Sequence, residues 1–199
     1  MPLVLIVWHS ATGGAQALAE ALGEGASDDS IGGIEVVSRR ALEAGVEDVL
    51  AADGLLLCTP ENFGYMSGAL KDFFDRTYYP CLEHTRGRPY GLAVRAGGDG
   101  TGAVAAVTPL AIGLGWKEVA PPVIAAGDLT EAHLAAAREL GATLAAGLAT
   151  GLYCGRSHGT VAVSARKRAR MGAWMDQHRK SKPTTSRSRP GQKSRSSRA

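Results

Sequence analysis

Five short apolar runs, each followed by a helix-like pattern, constrain this 199-residue chain more than any other feature. The runs are Leu3–Trp8, Ile34–Val37, Gly54–Cys58, Tyr90–Arg95 and Glu118–Ala125, rich in Leu, Val and Ile and without polar alternation. A strand with one face in water alternates apolar and polar side chains; one that does not is buried on both faces, as in a parallel sheet covered by helices. Helical patterns lie near Ala15–Glu24, Val46–Ala51, Met66–Tyr79, Thr101–Gly115 and Thr130–Leu148. Parallel strands need crossovers long enough to hold a helix, and the spacing supplies one after each run. The pattern predicts five βα units in an open, doubly wound α/β sandwich. Pro121–Pro122 interrupts the fifth run, and proline cannot donate to a ladder. Either that strand is at an edge, or the prolines begin it.

Charge divides the chain. Residues 1–164 hold 10 Lys+Arg against 18 Asp+Glu, whereas residues 165–199 hold 12 Lys+Arg and one acid, Asp176. An acidic globular domain with a basic tail is expected. We place the globular domain at residues 1–160, a short basic helical extension at 161–180 and a disordered tail at 181–199. The tail, SKPTTSRSRPGQKSRSSRA, has no aliphatic or aromatic side chain from which to build a core. Its charge suits weak, non-specific contacts with anionic partners, and it lacks the aromatics that stack bases. Cys58, Cys81 and Cys154 are far apart and odd in number, against a disulfide framework and against zinc. No leader and no membrane-spanning segment is expected, so a reducing, cytoplasmic setting follows.

In open α/β sheets, ligands bind outside the carboxyl ends of the strands, where strand order reverses. Three runs end in loops of unusual chemistry. The first loop, Ser10, Ala11, Thr12, Gly13, Gly14 and Ala15, offers hydroxyls, glycines and the positive end of a helix, a neutral cradle for a phosphate. It matches neither G-x-G-x-x-G nor G-x-x-x-x-G-K-[ST]. The second loop carries Pro60, Glu61, Asn62, Phe63, Gly64 and Tyr65. The third carries Ala96, Gly97, Gly98, Asp99 and Gly100. These two are suited to backbone and aromatic contact with a flat polar ring. His9 reads as the end of the first strand, and Cys58 as a buried strand residue. Phe73, Phe74, Tyr78 and Tyr79 read as core or as a homodimer interface.

The stretch CTPENFGYMSGALKDFFDR, following the S-x-T-G-G turn, resembles the flavodoxin-like superfamily, in its NAD(P)H-dependent FMN reductase and quinone reductase branch, over residues 3–150. Flavodoxins carry an S/T-x-S/T-G-x-S/T phosphate turn. This chain matches at Ser10, Thr12 and Gly13 and has Ala15 at the last hydroxyl position, where Gln16 is a candidate substitute. The resemblance implies a five-stranded sheet in order 2-1-3-4-5. It implies FMN, with its phosphate on the first loop and its ring between the second and third. It further implies NAD(P)H as electron donor and a quinone, free flavin or similar small molecule as acceptor. The seventeen loop residues named above are then cofactor-binding, with no catalytic side chain and no metal. Two other readings stand beside it. One is a flavodoxin-type electron carrier, which usually covers the ring with aromatics that GGDGTG lacks. The other is a non-enzymatic module acting through its basic tail.

Overall fold

In a computed structural model, described over residues 1–153, the first run is β1 (Leu3–Trp8), hydrogen-bonded on both sides by parallel neighbours. The chain continues through α1 (Gly14–Ala26), β2 (Glu35–Arg40), α2 (Val46–Ala51), β3 (Gly54–Asn62), β4 (Tyr65–Met66) and α3 (Gly68–Cys81). It then forms β5 (Pro89–Ala96), α4 (Thr101–Gly113), β6 (Lys117–Glu118), β7 (Val123–Ala126) and α5 (Glu131–Ala149). The strand order is β2-β1-β3-β5, with β6 and β7 both laid along β5. Counted as five strands, this is the expected 2-1-3-4-5, the flavodoxin-like order.

Two departures from the sequence reading have local causes. The fifth strand is split: Lys117 and Glu118 pair with Pro89 and Tyr90, and Val123–Ala126 pair with Ala93–Ala96. Pro121 and Pro122 lie in the gap, where a missing N–H breaks no ladder. The strand is therefore both at the edge and restarted by the prolines. At the other edge, β2 runs on through Ser38, Arg39 and Arg40, whose exposed polar and charged side chains break the apolar pattern. Charge on an edge strand also discourages pairing with another chain.

Alternate residues of the central strands feed two cores. Val4, Ile6, Leu56, Cys58 and Ala93 face α1 and α5, where Leu18, Leu22, Leu140 and Leu144 meet them. Leu5, Val7, Leu57, Leu92 and Val94 face α2, α3 and α4, with Phe73 and Phe74 fully buried. Helices α1 and α5 touch backbone to backbone: a Cβ at Gly141 would stand 2.1 Å from the Leu22 carbonyl oxygen. The predicted extension at 161–180, the tail at 181–199 and Cys154 lie outside the described residues. Among the described residues, no helix is long and apolar enough to cross a membrane.

Burial has a consequence for pH. It pushes the Cys58 thiol up to about 12 and the Cys81 thiol to about 11. Burial, reinforced by the charge of Glu118, raises the Tyr90 phenol to about 12. Unfolded, the thiols would ionise near 9.0 and the phenol near 10.0. The folded state thus holds these protons more tightly, and the stability this confers is complete below about pH 9 and lost as pH rises toward 11 and 12. Melting followed by circular dichroism is expected to fall steadily between about pH 9 and pH 10.5. A flat profile across that window contradicts the assignment. At pH 8, native Cys58 and Cys81 should resist alkylation, because only the thiolate reacts.

Candidate functional site

The C-terminal ends of β1, β3 and β5 lie side by side, so the loops that follow them share one edge of the sheet. In the first, His9 N–H donates to the Cys58 carbonyl at 3.1 Å and holds the loop against β3. Gly13 then takes the N-cap position of α1 at φ 91°, a left-handed conformation that glycine adopts freely. Its N–H donates to Ser10 Oγ at 3.0 Å, and its carbonyl accepts from Ala17 at 3.0 Å. The N–H groups of Gly14, Ala15 and Gln16 have no partner among the described residues. No side chain caps α1 and no acid occupies its first turn. Thr12 is exposed beside this terminus. The buried Nδ1 of His9 is likewise unsatisfied among the described residues.

Two further contacts bear on this loop. Ala15 is buried, with its carbonyl accepting from Cys58 Sγ at 3.1 Å, so its N–H is the polar group it has left to offer. The Gln16 Nε2 donates to Glu20 Oε1 at 2.8 Å, an i,i+4 pair along the helix.

The second loop is a tight hairpin. Glu61 and Asn62 at the end of β3 pair antiparallel with Met66 and Tyr65 of β4. Phe63 and Gly64 form the turn at φ 54° and 69°, the two positive values a primed two-residue turn demands. A non-glycine residue in that region is strained, and Phe63 is fully exposed as well, at 108% of its reference surface. Tyr65 beside it is 45% exposed. The base of the hairpin is fixed. Buried Thr59 donates to the Pro60 carbonyl at 2.9 Å and accepts from Ser67 N–H at 3.0 Å, and Ser67 Oγ caps α3 through Leu70 N–H.

The third loop leads into α4. Ala96 is buried, whereas Gly97, Gly98 and Asp99 are exposed. The Thr101 N–H and hydroxyl both donate to the Asp99 carboxylate, which holds its pKa below the usual carboxylate range. The Glu61 carboxylate reaches across from the second loop, accepting from Gly100 N–H at 3.3 Å and Ala103 N–H at 3.2 Å. It caps a helix that begins on a glycine and joins the two loops. They also touch directly, since a Cβ at Gly102 would stand 2.1 Å from the Gly64 carbonyl oxygen.

One residue of this edge was missed by the sequence reading. Arg95, near the end of β5, lies on the α1 side of the sheet and passes beneath Gly14, where a Cβ would meet its Nε at 3.0 Å and its Cδ and Cγ at 3.3 Å. Its Nη1 donates to the carbonyls of Ala96 and Ala125, the latter at 3.0 Å. The available signal was a charge inside an otherwise apolar run.

A family model described as NADPH-dependent FMN reductase matches residues 32–131, half of the chain. That span includes the second and third loops and begins after the first. A flavodoxin from Aquifex aeolicus is 43% identical over 75 residues, covering 38% of this chain and 40% of its own length. An NAD(P)H dehydrogenase (quinone) from Acidithiobacillus ferrooxidans is 34% identical over 97 residues, covering 39% of this chain and 48% of its own. The chain thus spans less than half the length of these curated relatives. The crystal structure of a flavodoxin, WrbA-like protein from Agrobacterium tumefaciens aligns over 75% of this chain and 98% of that one, with a TM-score of 0.61 and 21% identity. That is a likeness of fold.

Proposed function

The chain belongs to the family of NADPH-dependent FMN reductases, and we propose that it binds FMN across these three loops and oxidises NAD(P)H. The electrons would pass to a quinone, a free flavin or a similar small acceptor. The observation that carries this reading is the uncapped α1 terminus, with three open N–H groups, on the same edge as a fully exposed, left-handed Phe63. Open donors suit a phosphate, and strain held at an exposed aromatic suits a functional contact. The residues present therefore fit the group.

Each loop has its own task. Gly14, Ala15 and Gln16 N–H groups and the Thr12 hydroxyl would hold the phosphate, and Ser10 shapes the turn by accepting from Gly13. Asn62, Phe63, Gly64 and Tyr65 would flank the ring on one side and Ala96–Asp99 on the other. The Gly100 N–H is taken by Glu61, so the exposed Gly97 and Gly98 supply the donors toward the ring edge. Glu61 and Thr59 keep this frame rigid, which is how a protein contributes orientation. When bound, FMN would supply the hydride- and electron-transfer chemistry, which is why no side-chain acid or base is assigned. Phe63 and Tyr65 would shape the open face where donor and acceptor bind in turn.

A cytoplasmic setting, homodimer formation and weak anionic contacts of the basic tail belong to the same reading. Purified protein reconstituted with FMN is expected to show the absorbance of bound flavin and to oxidise NADH or NADPH when a quinone is supplied. Failure to bind FMN at micromolar concentration overturns the reading. Binding without nicotinamide oxidation turns it to an electron carrier.

A further inference from the structure

We propose that Arg95 is the cation of the phosphate site and the residue that makes this protein select FMN over unphosphorylated riboflavin. The assignment rests on the FMN reading above. It begins from an electrostatic imbalance. The N-terminus of α1 is the positive end of a helix, and neither a side-chain cap nor an acid in its first turn offsets it. The Arg95 side chain lies against that terminus: a Cβ on Gly14 would stand 3.0 Å from its Nε and 3.3 Å from its Cδ and Cγ. No carboxylate among the described residues pairs with it. Two positive features are thus set side by side on a half-buried site, an arrangement that costs stability unless an anion joins them.

The hydrogen bonds of the guanidinium point the same way. Nη1 is bound by the carbonyls of Ala96 and Ala125, which fixes the group at the end of β5 and β7. Nε and Nη2 have no partner among the described residues. A planar guanidinium held by one nitrogen presents its remaining donors as a fork, the geometry that matches phosphate oxygens. Residue 14 is glycine, and that lets the fork approach the helix terminus closely. The cation also replaces what the loop lacks. Ala15 has no hydroxyl and is buried, and the Gln16 amide donates to Glu20. The first loop itself is neutral, and the charge comes from a strand two positions away in the sheet.

A purely structural role is the competing account, because Nη1 also ties β5 to β7. Riboflavin separates the two, since it carries the same ring without the phosphate. Wild type, Arg95→Met and Arg95→Lys are titrated with FMN and with riboflavin by quenching of flavin fluorescence, and thermal melts report folding. Arg95→Met is expected to weaken FMN by about 10- to 100-fold, the range for a hydrogen bond to a charged group, and to leave riboflavin unchanged. Arg95→Lys keeps the charge without the fork and is expected to recover about a third to a tenth of wild-type FMN affinity. Should Arg95→Met fail to fold, the FMN-to-riboflavin ratio of Arg95→Lys decides. Equal weakening of both flavins, or no change in either, overturns the assignment while the FMN reading stands. If wild type binds no FMN, both fall together.

Discussion

Gly102→Ala is expected to abolish micromolar FMN binding while the sheet still forms. A Cβ at this position would stand 2.1 Å from the carbonyl oxygen of Gly64 and 2.6 Å from its carbonyl carbon. Both are backbone atoms of the hairpin turn, so no side-chain rotation relieves the clash, and the second and third loops must separate. The same Cβ would reach within 3.0 Å of Glu61 Oε1, the oxygen that accepts from Ala103. Separation therefore breaks the clamp as well as the contact. Overpacking of this kind costs about 1–3 kcal/mol of stability, which a sheet with two full cores survives. The proposed flavin site would not survive it, because the two loops that would flank the ring move apart and the preorganised frame held by Glu61 is lost. Flavin titration together with urea unfolding measures both quantities. Gly68→Ala is the control, since a Cβ there meets nothing within 4 Å and the residue lies in the first turn of α3. Wild-type affinity in Gly102→Ala would show that contact between the two loops does not shape the site.

The buried strands were legible because Leu55, Leu56 and Leu57 read as continuously apolar, and only a doubly covered sheet buries such a run. The three loops were legible because their composition changes abruptly at the ends of those runs. What lay hidden was non-local. Nothing in N-F-G-Y announces a primed turn, since the usual Asn-Gly or Asp-Gly signature is absent and Phe63 occupies the first left-handed position under strain. The second task of Glu61 is also non-local: its carboxylate is engaged by Gly100 and Ala103, some forty residues on, because α4 starts on a glycine without a cap of its own. Arg95 needed the register. Only the pairing of β5 with β3 and β7 fixes the face it occupies, and only the path of α1 over that face brings Gly14 above it.

Thr12→Asp is expected to move stability and flavin affinity in opposite directions. Thr12 is exposed and makes no hydrogen bond among the described residues, so its replacement breaks nothing in the fold. It lies just before an uncapped helix whose first turn holds no acid. A carboxylate there gains about 0.3–1 kcal/mol from the helix dipole, and the unfolding midpoint should hold or rise slightly. The flavin phosphate would occupy the same positive region, and a fixed carboxylate opposes it. At an effective dielectric near 20, two unit charges about 4 Å apart repel by about 4 kcal/mol, and a third of that is already about tenfold in affinity. The threonine donor is lost as well. Thr12→Ala isolates that part, about 1.5–3 kcal/mol for a hydrogen bond to a charged group. The order of FMN affinity is therefore wild type, then Thr12→Ala, then Thr12→Asp, whereas stability does not follow that order. Flavin titration with circular dichroism melts of all three proteins reads both series. If Thr12→Asp binds FMN as tightly as wild type, Ser10–Ala15 does not hold the phosphate, and the orientation of the flavin across this edge of the sheet is wrong.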